Sequence, residues 1–193
     1  MKIDIILAGV GGQGILSIAA IIGTAAIESG LFLKQAEVHG MSQRGGDVQS
    51  NLRLSDAEIA SDLIPNGKAD IIISVEPMES LRYLPMLNAE GWLITNTEPF
   101  INIPNYPQIE NLIKEVKAFS RNVAINADKI AKDLGSPKSA NIVILGAASS
   151  HINIKYEKFE NAIRQIFASK GDKVIQDNLN ALEAGRKFAE VKV

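Results

Sequence analysis

The stretch that decides the fold spans residues 2–23 and reads KIDIILAGVGGQGILSIAAIIG. Its first apolar residues predict a short buried strand, and a tight turn follows in which Gly9, Gly11 and Gly14 have the spacing G-x-G-x-x-G. The Ile, Leu and Ala residues that come next predict a helix over residues 12–29 that is apolar nearly all round. A strand, a glycine turn and a buried helix in this order indicate an α/β domain built on a parallel sheet.

The glycine turn permits two interpretations. In a dinucleotide-binding fold such glycines let the backbone approach a pyrophosphate, and an acidic residue about 20 positions further on holds the ribose. Glu37 is the available acid, 23 positions after Gly14, but its segment is not a strongly apolar strand, so the match is incomplete. The alternative is that the glycines only pack the first turn of the helix against the sheet. The sequence leaves both interpretations open.

Composition limits the classes of function. The 193 residues suit one domain over residues 1–193, and a formal charge of −2 without a basic block gives no reason to expect a nucleic-acid partner. Cysteine is absent, which excludes a disulfide framework, a thiolate zinc site, a catalytic thiol and a cysteine-ligated iron–sulfur cluster on this chain. Any redox centre must therefore be carried elsewhere.

The chain shows no pattern of export or of membrane insertion. Its N-terminus lacks the long apolar region and the cleavage site of a signal peptide, since Gly9 and Gln13 interrupt it. The apolar run over residues 15–27 is too short to span a bilayer. We therefore expect a cytoplasmic protein without a membrane partner.

The rest of the chain continues the α/β pattern. Residues 47–61 predict a hairpin inserted after the second strand, because Val48, Ser50, Leu52 and Leu54 alternate before a turn at Ser55-Asp56 and a second short extended run. Further strands are predicted at ADIIISV, GWLITN and RNVAINA, and helices at MESLRYLPML, QIENLIKEV, ADKIAKDLG and KSANIVILGAASS. Two amphipathic helices are expected to end the chain.

A second glycine-rich stretch lies within EVHGMSQRGGDVQSNLRL, residues 37–54. If the hairpin follows the second strand, this stretch lies at the carboxyl ends of the parallel strands, beside the first glycine turn. Arg44 offers a rigid fork of donors, and we expect it to bind an anion or a carboxylate of a partner. For His39 we favour a structural role at the end of a strand, because no acidic or hydroxyl partner stands at catalytic spacing.

Several of these motifs together resemble one family. GVGGQG, EVHGMSQRGGDV, LIPNGKADIIISVEPMESLRYLPML, YPQIENLI, NIVILGA and NLNALEAG are similar to the gamma-type subunit of 2-oxoacid:ferredoxin oxidoreductases, and most like the small subunit of the indolepyruvate type. The resemblance covers essentially the whole chain. It implies a single Rossmann-like α/β domain with a mostly parallel sheet, an inserted hairpin and C-terminal helices.

The resemblance also implies a division of labour. The family's thiamine diphosphate and [4Fe-4S] clusters are carried by a large partner subunit, and the complex oxidises a 2-oxoacid with coenzyme A as co-substrate and ferredoxin as acceptor. This chain should be inert alone, with no catalytic residue and no metal site. Its expected contribution is a set of cofactor-binding or subunit-docking residues: Gly9, Gly11, Gly12, Gln13, Gly14, His39, Gly40, Ser42, Gln43, Arg44, Gly45 and Gly46.

Two alternatives to an indolepyruvate-type subunit stay open. One is a stand-alone oxidoreductase that binds NAD with the glycine turn and Glu37, and the other is a subunit of a related pyruvate or 2-oxoglutarate oxidoreductase.

Overall fold

A computed structural model describes residues 1–39 and 45–191 of the protein. Its strands are β1 Lys2–Val10, β2 Phe32–His39, β3 Asp47–Ser55, β4 Ala69–Ser74, β5 Leu87–Asn96 and β6 Asn122–Ile125. Its α-helices are α1 Ile15–Ile27, α2 Pro77–Arg82, α3 Ile109–Ala118, α4 Ala127–Asp133, α5 Ala140–Ser149, α6 Tyr156–Ile166 and α7 Asp172–Glu190. Short 3₁₀ turns lie at Leu84–Met86, Pro137–Ser139 and Ala168–Lys170.

The strands form one six-stranded sheet in the order β2-β3-β1-β4-β5-β6. β1, β4, β5 and β6 are parallel neighbours, whereas β3 runs antiparallel to both β1 and β2. The predicted α/β class, with a mostly parallel sheet and helices at the C-terminal end, is therefore confirmed.

The hairpin differs from the predicted one. It is formed by β2 and β3, and residues 56–68 form no strand. The reason lies on the polar face of β3, whose side chains bond this segment directly. The Asn51 Oδ1 atom accepts from the Ile64 amide at 3.1 Å, and the Arg53 guanidinium donates to the Ser61 and Leu63 carbonyls at 3.0 and 2.9 Å. The segment covers β3 through these bonds and does not pair with it as a strand.

Apolar residues cover both faces of the sheet. The larger core packs α1, α5, α6 and α7 against one face and includes Ile5, Leu7 and Ile73. The smaller core, around Ile6 and Ile72, packs Val116 of α3 against the other face. Among residues 1–39 and 45–191, the helices are too short or too polar for any of them to cross a bilayer.

Two glycines let helices α5 and α7 approach each other closely. A Cβ atom on Gly185 would lie 1.9 Å from the Val143 carbonyl oxygen, and one on Gly146 would lie 2.1 Å from the Leu182 carbonyl oxygen. Real Cβ atoms do not come so near to backbone oxygens, so both positions require glycine at this crossing.

Candidate functional site

Two glycine-rich segments meet at the carboxyl end of the parallel strands. Because β3 is antiparallel to β1, the beginning of β3 at Asp47 lies beside the end of β1 at Val10. The ladder continues past this pair: the Gly11 amide donates to the Gly46 carbonyl at 2.8 Å, and the Gly45 amide donates to the Gly11 carbonyl at 3.2 Å. The first glycine turn is thus joined to residues 45–46 by main-chain bonds alone. We call residues 9–14, 45–46 and 97–108 the rim loops.

The glycines of the first turn have different physical reasons to be glycine. A Cβ on Gly9 would lie 2.3 Å from Val75 Cγ2, and one on Gly14 would lie 2.5 Å from Asn141 Nδ2, so these two positions are set by packing. Gly12 has φ +101°, which favours glycine, and a Cβ added there would meet no atom of the described residues within 4 Å. The backbone of Gly12 is therefore open to solvent, as is common where a ligand comes close to the main chain.

Gln13 fastens the turn to the sheet. Its Oε1 atom accepts from the Val10 amide at 2.8 Å, and its Nε2 atom donates to the Val75 carbonyl at 3.4 Å. The side chain thus links the end of β1 to the end of β4, and its polar atoms serve the fold in this conformation.

The glycine turn separates two grooves, and both are lined by Gly12 and Gly14. The first has a volume of about 490 Å³ and extends towards Ile15, Leu16 and Glu37. The second, about 430 Å³, lies beyond the ends of β1 and β4, and its lining also includes Gln13, Ser17, Val75, Asn96, Asp128, Pro137, Lys138, Ala140, Asn141 and Ile144. Volumes of this order suit small ligands. The second groove lies at the ends of β1 and β4, two neighbouring strands whose helices lie on opposite faces of the sheet, and α/β sheets commonly bind ligands at such a position.

Glu37 lines the first groove but does not occupy the place of a ribose-binding acid. In a dinucleotide fold the second strand lies directly beside the first. Here β3 lies between them, with Glu37 opposite Ser50 and Ser50 opposite Leu7, so Glu37 is two strand spacings, about 10 Å, from β1 at that level. The arrangement weakens the NAD alternative.

Part of the predicted site falls on undescribed residues. The backbone of His39 ends β2 opposite Val48, but its side chain lies outside the described part of the chain. Gly40, Ser42, Gln43 and Arg44 also lie outside the described residues, and their roles stay predictions.

Glu76 lies beneath the rim loops and bonds one of them, and the sequence reasoning did not identify it. Its side chain is fully buried, and its Oε2 atom accepts from the Glu79 amide at 2.8 Å as the N-cap of α2. Its Oε1 atom accepts from the Phe100 amide at 3.3 Å and from the Tyr106 hydroxyl. Glutamate is not among the usual N-caps, which are Ser, Thr, Asp and Asn, so only the Pro77 that follows it marked this helix start.

The loop between β5 and α3 is the third part of the rim. Asn102 Nδ2 donates to the Gly45 carbonyl at 2.8 Å, which ties this loop to the second glycine-rich segment. Its neighbours Phe100, Ile101 and Ile103 are exposed, with Ile101 at 71%. Exposed apolar side chains that are grouped on one loop are a feature of surfaces that contact other proteins when they form a contiguous patch.

Two acidic side chains, the buried Glu79 and the half-buried Asp47, lie close together next to residues 45–46. The Tyr83 hydroxyl donates to Asp47 Oδ2 at 2.7 Å, and Arg82 Nε pairs with Glu79 Oε2 at 2.7 Å. Burial is the main cause that raises the pKa of Glu79, and the nearby Asp47 adds to it against the opposing effect of Arg82. Burial and the bond to Asp47 likewise raise the pKa of Tyr83. The bond from Tyr83 ties the end of α2 to the start of β3, next to residues 45–46. None of these side chains is an electron sink for redox chemistry.

An α/β domain with glycine loops at the carboxyl ends of its parallel strands has the architecture of Rossmann-like domains, which commonly bind ligands at that edge. Over residues 4–188 the chain matches the pyruvate ferredoxin/flavodoxin oxidoreductase family, and it belongs to that family. One relative is the indolepyruvate oxidoreductase subunit IorB of Archaeoglobus fulgidus, with 38% identity over 96% of this chain and 94% of the relative. The chain is thus a small subunit of a 2-oxoacid oxidoreductase, as the sequence predicted.

Two solved structures share the fold. The gamma subunit of the keto/oxoacid ferredoxin oxidoreductase of Geobacter sulfurreducens has a TM-score of 0.73 at 24% identity and covers 98% of this chain and 99% of its own. The 2-oxoglutarate:ferredoxin oxidoreductase of Magnetococcus marinus, solved with 2-oxoglutarate, coenzyme A and succinyl-CoA bound, has a TM-score of 0.76 at 21% identity. The match covers 98% of this chain but 31% of that one, so the same fold there forms one part of a longer polypeptide.

Proposed function

We propose that the protein is the small subunit of an indolepyruvate-type 2-oxoacid:ferredoxin oxidoreductase, which decarboxylates arylpyruvates, transfers the acyl group to coenzyme A and passes the electrons to ferredoxin. The observation that carries the proposal is the 38% identity with an indolepyruvate oxidoreductase subunit along nearly the full length of both chains. Identity that extends over the whole chain is far more specific than one glycine fingerprint.

The cofactors belong to a large partner subunit in this proposal. Iron–sulfur clusters are held by cysteine thiolates, and the chain has no cysteine. The described residues also contain no cluster of three or more His, Asp or Glu side chains suited to a metal ion. The [4Fe-4S] clusters would therefore lie on the partner, which is the component that reduces ferredoxin. The resemblance to the family assigns the thiamine diphosphate to the same partner, and we expect the complex in the cytoplasm.

The rim is the proposed contribution of this chain to the complex. The open backbone of Gly12, the adjoining Gly14 and the exposed loop around Ile101 offer amide donors and apolar surface on one edge of the sheet. Arg44 would supply a charged fork for a carboxylate of the large subunit or for the phosphates of coenzyme A.

Replacing Arg44 tests the role of the rim. We expect Arg44→Ala to weaken assembly with the large subunit or to raise the Michaelis constant for coenzyme A. Arg121→Ala is a matched control, because Arg121 is an exposed arginine before β6, at the opposite edge of the sheet, where it pairs with Glu90. If Arg44→Ala behaves like the control in both measurements, the rim role of Arg44 is wrong.

Capture from the native anaerobic cytoplasm tests the whole proposal. The tagged chain should bring down a large iron–sulfur protein, and the eluate should reduce ferredoxin or a viologen dye with an arylpyruvate and coenzyme A. A preference for pyruvate or 2-oxoglutarate in the same assay would favour a related member of the family. A chain that comes down alone and binds NAD(H) at micromolar concentration would overturn the proposal.

A further inference from the structure

We infer that Glu76 is the positioning residue that sets the shape of the rim and thereby the affinity of this chain for its large subunit. The inference rests on the proposed function, because it assumes that the rim meets the partner. It goes further in assigning the geometry of that surface to one buried carboxylate that lies beneath it.

The first support is that Glu76 is fully buried and that both of its carboxylate oxygens are used. One oxygen caps α2 through the Glu79 amide, and the other accepts from Phe100 and Tyr106 of the loop between β5 and α3. A buried carboxylate is costly without donors, so the folded chain is held to the arrangement that supplies all of them. The helix and the loop are therefore fixed relative to each other by one side chain.

The second support is the position of the anchored residues within the loop. Phe100 and Tyr106 bracket Asn102, the residue whose amide group donates to the Gly45 carbonyl. Gly45 in turn donates to Gly11. Glu76 is thus connected to the first glycine turn through its hydrogen bonds to the loop, the loop backbone at residues 100–106 and the bonds of Asn102 and Gly45. The exposed Ile101 lies within this loop segment.

The third support is the length of the side chain. An N-cap alone is served best by a short residue such as Asp. The additional methylene of Glu76 allows one carboxylate to reach both the helix amide and the loop. The backbone is also held in place, because the Ser74 hydroxyl donates to the Glu76 carbonyl at 2.6 Å.

Two variants separate positioning from capping. Glu76→Asp keeps a good N-cap but shortens the reach to the loop, and Tyr106→Phe removes one donor from the loop and leaves the cap unchanged. Ser80→Ala is the matched control, because it deletes a buried hydrogen bond of 2.7 Å to the Pro77 carbonyl within the same helix. Each variant is purified as the full chain and titrated with the large subunit that copurifies with the wild-type chain.

We expect Glu76→Asp and Tyr106→Phe to raise the dissociation constant roughly tenfold, because binding must then order a loop that a strong hydrogen bond no longer holds in the free chain. Their thermal unfolding midpoints should fall no further than that of Ser80→Ala. Amide hydrogen exchange in the isolated chain should accelerate at residues 97–108 and 45–46 in both variants and not in the control.

The outcomes are distinct. If the affinities of both variants match that of Ser80→Ala, or if exchange at residues 97–108 is unchanged, the positioning role is overturned. If the wild-type chain itself binds no large subunit, the proposed function fails, and the exchange experiment still decides whether Glu76 orders the rim.

Discussion

At the scale of single residues, His151 shows how burial controls ionisation. Its ring stacks against Trp92 with centroids 3.9 Å apart, and its Nε2 atom is buried without a hydrogen-bond partner among the described residues. Burial disfavours the charged imidazolium and lowers the pKa of His151. The neutral ring is therefore the form that the folded chain prefers.

This depression predicts a pH dependence of stability. The unfolded chain binds a proton at the ordinary histidine pKa of about 6.5, whereas the folded chain resists it, so stability should be lost as the pH falls below that value towards the folded pKa. His151→Phe should remove this component and retain a ring against Trp92. Urea denaturation at a series of pH values between neutrality and mild acid measures the pH dependence of the free energy of unfolding. His39 is present in both the wild-type chain and the variant, so it does not distinguish them. The prediction is wrong if the free energy of unfolding depends on pH in the same way in the wild-type chain and in His151→Phe.

The glycines and Glu76 show what sequence can predict at this scale. The spacing of Gly9, Gly11 and Gly14 predicted a turn correctly, and close packing at Gly9 and Gly14, with the positive φ of Gly14, leaves few alternatives to glycine at two of these positions. Nothing in the sequence near Glu76 indicated its role, since its loop partners Phe100 and Tyr106 stand 24 and 30 positions away in a segment without periodicity. Contacts of that separation are decided by the tertiary fold.

At the scale of elements, the crossing of α5 and α7 depends on glycine at both helices. A Cβ atom on Gly185 would lie 1.9 Å from the carbonyl oxygen of Val143. Backbone oxygens cannot move aside as the end of a flexible side chain can, so a larger residue must separate the helices.

We therefore predict that Gly185→Ala destabilises the protein by roughly 1–3 kcal/mol or more, although alanine is the better helix former. The free energy of unfolding by urea measures the effect. Lys187→Ala serves as the control, because Lys187 is exposed on the same helix and pairs only at the surface with Glu183. Equal stability of the Gly185 variant and the control would show that the two helices can separate without cost.

Most elements were predictable, and the partner of β3 was not. Apolar runs and glycine or proline boundaries located the strands and helices because they reflect local burial and local backbone geometry. The pattern of β3 indicated a hairpin but could not show which neighbour it pairs with. Asn51 and Arg53 decide this by binding residues 61–64 through side-chain bonds, which leave no alternation to detect.

At the scale of the whole molecule, two cores share one sheet. Ile5 and Ile6 are adjacent in β1 yet belong to different cores, because successive residues of a strand face opposite sides. Disruption of either core therefore disturbs the strand that supports the other. A single domain over residues 1–193 stays the prediction that follows from this coupling.

The single-domain prediction has a direct test. Trp92, the only tryptophan, packs against the larger core, so its fluorescence reports on that core, whereas far-UV circular dichroism reports on all helices and strands. We expect both signals to change with the same midpoint and the same slope in urea. Separate transitions would show that the chain is divided into independently folding parts.

The main-chain bonds between Gly11 and residues 45–46 have a consequence for how the rim can evolve. No side chain takes part in them, so substitutions at neighbouring positions can alter charge, size and polarity while the two segments stay joined. A proline at position 11 or 45 would remove a donor directly, as would an ester in place of the amide. If the rim meets the large subunit as proposed, its side chains can change to suit a different partner while the main-chain bonds that join the two segments are kept.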